Sequence, residues 1–61
     1  MYYVVKRAAR APHHESVGVE STCPTASEEV QVIAQYDSMT EAEDRAHGTA
    51  EQIGILYVDP K

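Results

Sequence analysis

The sequence predicts an α+β domain: a small mixed sheet of three or four strands with one helix packed on one face, in the order β-(β)-β-α-β. Three observations lead there. The runs "YYVVKRA", "EVQVIAQYD" and "ILYVD" are rich in β-branched and aromatic residues, which suit a pleated, half-buried surface. Between the last two lies one stretch with apolar residues at helical spacing. At 61 residues, the chain has room for one domain only.

The first strand covers residues 2–8. Alternation points Tyr2, Val4 and Lys6 one way and Tyr3, Val5 and Arg7 the other. Both faces start apolar, so the strand is expected to be covered on both sides at its start and exposed at its end. Residues 11–27 lack a period and are punctuated by Pro12, Gly18 and Pro24. They read as a long loop or hairpin arm. Within it, "SVGVE" at 16–20 is expected to pair as an edge strand, with Val17 and Val19 on one face.

Residues 29–37 alternate cleanly. Val30, Val32, Ala34 and Tyr36 are expected on one face, and Gln31, Ile33, Gln35 and Asp37 on the other. Residues 38–54 give the helix. Ser38 is placed to cap it, with Glu41 completing a capping box. Acidic Glu41, Glu43 and Asp44 suit the positive end of the helix dipole. Met39, Ala42, Ala46, Ala50 and Ile53 form the apolar stripe, and Gly54 is placed to end the helix in a left-handed conformation. Gly48 marks either a close approach or a weak point. The last strand, 55–59, stops at Pro60.

The last two strands and the helix form a β-α-β unit, so those strands should run parallel when they share a sheet. One helix covers one side of such a sheet and leaves the other bare. It cannot bury Tyr2, Tyr3, Tyr36 and Tyr57 together, so some tyrosine surface is expected on the bare face or an edge.

A chain of this size buries only about 60% of its unfolded surface, and small scaffolds usually need a disulfide, a metal or a partner chain. One cysteine makes no internal disulfide. It suits a reducing compartment. With no leader-like segment and no long apolar run, the chain reads as cytoplasmic, without a membrane partner. Net charge is −5, and the charges are segregated. Lys6, Arg7 and Arg10 face no acid within the first ten residues, whereas residues 11–60 hold all ten acids against Arg45 alone. The acidic majority disfavours nucleic acid and favours a basic protein surface.

The stretch "APHHESVGVESTC" concentrates His13, His14 and Cys23. A zinc site from His13 or His14, Cys23 and His47, completed by Glu15 or Glu20, has suitable ligand types. The spacing, however, matches no compact zinc pattern, and the segment reads as a polar loop. Cys23 lies near Glu28 and Glu29, the wrong setting for an activated thiolate. His47, beside Glu43, Asp44 and Glu51 at helical spacing, reads as an exposed ion-pair partner. No catalytic residue, cofactor or metal is expected.

Two partner-binding groups remain. The acids Glu41, Glu43, Asp44 and Glu51 would form a contact face for a basic groove on a larger protein. Tyr2, Tyr3, Lys6, Arg7 and Arg10 combine aromatics and cations on the first strand, as single-stranded nucleic-acid binders do. The expected function is a small non-enzymatic protein-binding module. One form of it is an inhibitor of phage or mobile-element type that imitates phosphate charge at a nucleic-acid-binding surface. The alternatives are a homodimer joined through the bare sheet face and a single-stranded nucleic-acid binder using the basic strand.

Overall fold

In the computed structural model, which describes residues 1–9 and 14–58, four strands form one mixed sheet with a helix packed on it, an α+β fold. The strands are β1 (Tyr2–Arg7), β2 (Ser16–Glu20), β3 (Val30–Tyr36) and β4 (Leu56–Val58), and α1 (Met39–Ile53) joins β3 to β4. Their spatial order is β3-β1-β2-β4. β1 pairs antiparallel with β2 and β3, and β2 pairs parallel with β4. β3 and β4 therefore run the same way, as a β-α-β unit requires, but from opposite edges of the sheet. α1 crosses the full width and touches every strand. The expected stop at Pro60 lies outside the described residues, as does Pro12.

"SVGVE" is an inner strand, not the edge strand its short length suggests. Val17 and Val19 are buried against the helix. Gly18 between them removes a side chain where β4 comes close: a Cβ there would lie 3.0 Å from the Val58 carbonyl oxygen. With no Cβ at that position, β4 can seat alongside β2.

The even alternation expected along β3 is broken by a bulge. Val4 is opposite Ala34, whereas the next residue, Val5, is opposite Val32, so Ile33 is the extra residue. A bulge shifts the alternation by one. Ile33, Ala34 and Tyr36 pack on the helix side, while the register places Val30 and Val32 beside Arg7 and Val5 on the other face. Gln31, opposite Lys6, moves to the helix side. The expected face of Val30, Val32, Ala34 and Tyr36 is thus split in the middle.

The core between helix and sheet is thin. Val4, Val17 and Val19 meet Ala42, Ala46 and Ala50, ringed by half-buried Tyr2, Tyr36 and Tyr57. Each fully buried valine contributes about 1.5–3 kcal/mol. Among the described residues, no fully buried side chain is larger than valine. Met39 and Ile53 belong to the same stripe by angle, but they sit at the two helix ends and stay exposed.

Ser38 is the N-cap by backbone geometry, and its carbonyl accepts the Ala42 N–H at 3.1 Å. Its hydroxyl makes no capping bond, so the expected capping box is absent. Gly54 ends the helix at φ 68°, in the left-handed region. The Ile55 N–H then closes on the Ala50 carbonyl at 3.0 Å and turns the chain into β4. Gly48 is exposed, and a Cβ added to it would meet nothing within 4 Å. It is a weak point, not a close approach. Gly48→Ala should therefore stabilise the fold by about 0.5–1 kcal/mol, raising the melting temperature by about 2–8 °C in a thermal scan.

Candidate functional site

The helix-free side of the sheet carries a pattern that emerges only from the registers. Residues paired across strands share a face. Val32, Val5, Gly18 and Val58 are aligned across all four strands, forming a transverse row with no polar side chain. On one side of this row stand Val30, Arg7, Ser16 and Leu56. On the other stand Gln35, Tyr3 and Glu20.

Arg7 and Glu20 form an ion pair. They lie at opposite ends of the β1–β2 pairing, with Val5 and Gly18 between them. The two side chains must therefore arch over that pair, and the gap at Gly18 gives them room. This accounts for Val5, only 1% exposed on a face that no helix covers. The outer ends of the row are bare: Val58 is 46% exposed, and its neighbour Leu56 59%.

On the opposite side of the molecule, α1 turns its acids outward unevenly. Glu41, Asp44 and Glu51 are exposed, with Arg45 and Gly48 among them. Ala42, Ala46 and Ala50 define the inward direction. At 100° per residue, Glu43 falls beside that inward stripe, and it is half-buried. The four-acid face expected from spacing is a three-acid face.

The aromatic and cationic group on β1 is divided. Tyr2 packs toward the helix, and Lys6 shares that side, 3.3 Å from Glu15. Tyr3 and Arg7 lie on the helix-free face. Arg10 lies outside the described residues. Both described strand cations are thus held in ion pairs within the chain.

The chain matches no protein-family model, no curated protein and no solved structure. Its surfaces are therefore the guide to function.

His47 does not act as an ion-pair partner. Its ring stacks on Tyr57 with centroids 3.7 Å apart and planes 22° from parallel. This contact, worth about 1 kcal/mol, clamps β4 to the helix. In the polar segment, His14 and Cys23 are exposed, and the Cys23 thiol lies 3.7 Å from the Pro24 carbonyl oxygen. Among the described residues, no three His, Cys, Asp or Glu side chains come together as a metal site, and His13 lies outside them. No helix among the described residues is long and apolar enough to cross a membrane.

Sequence reasoning missed the Val32–Val58 row. Its β1 and β2 members were visible in the alternation, but its β3 member was hidden by the bulge. The value of Leu56 and Val58 depends on β4 lying beside β2, which no local pattern indicates.

Proposed function

We propose that this chain is a non-enzymatic protein-binding module that docks the outer face of α1 onto a basic surface of a larger protein. The observation that carries this reading is how the charges are distributed after folding. Lys6 and Arg7 are engaged with Glu15 and Glu20, while Glu41, Asp44 and Glu51 face solvent along one side of a helix. The charge offered to a partner is acidic, and it sits on a rigid element. Such a surface speeds and orients docking on a basic patch. A groove that normally takes nucleic-acid phosphates has the fitting chemistry, and the module would then act by occupying it.

The test is comparative capture. Tagged wild-type chain and a Glu41→Lys/Asp44→Lys/Glu51→Lys variant are used side by side at about 50 and about 500 mM salt, where screening lengths differ about threefold. The expected result is a basic protein retained by the wild type at low salt, released at high salt and missing from the folded variant. An unchanged set of captured proteins in the variant removes the acidic face from the mechanism.

A further inference from the structure

We infer that β4 is a latch on the sheet: it swings about Gly54, closes against the outer edge of β2, and opens while α1 and the other three strands stay folded. The acidic outer face of α1 plays no part in it.

The core is complete without β4. Its buried members, Val4, Val17, Val19, Ala42, Ala46 and Ala50, come from β1, β2 and α1. Of β4, Leu56 and Val58 are exposed, and Tyr57 packs half-buried at the margin of that cluster. Releasing β4 therefore takes none of the six side chains out of the core. The ladders differ in the same way. β1 pairs with β2 from Tyr3 to Arg7 and with β3 from Tyr2 to Arg7, whereas β4 pairs with β2 only at Ser16, Val17 and Gly18. Segments with little buried apolar surface open at lower cost than the core they lie against.

The connection to α1 can turn. Gly54 is exposed, sits in the left-handed region at φ 68°, and a Cβ there would meet nothing within 4 Å. Glycine reaches other backbone conformations without steric cost, and hinge motions concentrate at such element ends. Tyr57 carries the clasp. His47 stacks on it with ring centroids 3.7 Å apart, one of the contacts that hold β4 closed.

Backbone direction along β2 gives the open state a signature. The Leu56 N–H donates to the Glu15 carbonyl at 3.4 Å, so Glu15 presents its backbone to β4. In a parallel ladder Leu56 bonds to both neighbours of its register partner Ser16, so the Val17 N–H donates to the Leu56 carbonyl. Gly18 presents its backbone to the other side, where its partner is Val5 of β1. Opening the latch thus bares the Val17 N–H and leaves the Gly18 N–H bonded. β2 then becomes a free edge.

Amide hydrogen exchange of the full chain, resolved residue by residue, tests this. Val17, Leu56 and Val58 should share one protection factor, at least about tenfold below that of Val5 and Gly18. Equal protection of Val17 and Gly18 overturns the latch, because β4 and the ladder then open together. Fast exchange at Leu56 and Val58 with Val17 as slow as Gly18 also overturns it, because β4 then frays without leaving β2. His47→Gln removes the ring from the clasp. It should speed exchange at Val17, Leu56 and Val58 about fivefold and leave Val5 and Gly18 within about twofold of wild type. A folded variant in which all five amides change alike, or none does, removes the stack from the device. Should His47→Gln not fold, the wild-type comparison of Val17 with Gly18 decides alone. The isolated chain is measured throughout, so the result is separate from the fate of the acidic-helix reading.

Discussion

Ala46→Leu should lower stability by about 2 kcal/mol and the melting temperature by about 8–16 °C. Ala46 is fully buried, midway along the alanine stripe that meets Val4, Val17 and Val19. Both surfaces of this layer are built from small side chains, so the helix is seated close to the sheet. Leucine brings three more carbons into a space with no exit. Alanine and leucine are both good helix formers, so propensity contributes little to the loss. The cost comes from shifting the helix outward or forcing strained rotamers. A chain of this length has roughly 3–9 kcal/mol of stability in all, so one substitution removes a large share. Gln52→Leu, on the exposed side of the same helix, should change stability by less than about 0.5 kcal/mol. Thermal circular dichroism of the two variants checks the pair. Equal melting points would mean that the helix tolerates a wider spacing than this layer shows.

The helix and most strands were legible because their periods differ and their ends are marked. Gly54 signals the helix stop, and it adopts the left-handed conformation that only glycine takes without cost. Val17 and Val19 signal a strand inside a polar segment. What no local pattern carries is position in the sheet. β2 is short, yet it is an inner strand because β4 returns from across the sheet to pair with it. The bulge at Ile33 was hidden for a different reason. Its flanks alternate well on each side, and only the pairing with β1 reveals the extra residue.

The candidate surfaces were legible in part. Alternation along β1 already set Tyr2 and Lys6 opposite Tyr3 and Arg7, which argues against a single aromatic–cationic platform. The ion pairs with Glu15 and Glu20 join residues distant in sequence and become visible only once β1 and β2 are aligned. His47 looked like one of a group of charges because its neighbours along the helix are acids. Its actual partner, Tyr57, comes from the next strand.

Gly18→Val should detach β4 from the sheet while leaving the β1–β2–β3 pairing in place. A Cβ at position 18 would lie 3.0 Å from the Val58 carbonyl oxygen and 3.5 Å from the Val58 Cβ, and valine adds two methyls beyond it. The obstacle includes backbone, which cannot move aside as a flexible side chain can. β4 is three residues long, at an edge, and its other anchors include the His47–Tyr57 stack and the Leu56 N–H to the Glu15 carbonyl at 3.4 Å. Relieving the clash by moving β4 weakens both. Valine is a better strand residue than glycine, so β2 itself should remain paired with β1. Overpacking of this kind costs about 2 kcal/mol, equivalent to a roughly 30-fold rise in local opening. Amide hydrogen exchange at low protein concentration reads the difference directly. Residues 56–58 should lose protection by about that factor, while amides of the β1–β3 ladder keep most of theirs. A uniform loss across all strands would mean instead that β4 is an integral part of one cooperative unit, and that the Gly18 gap supports the whole sheet.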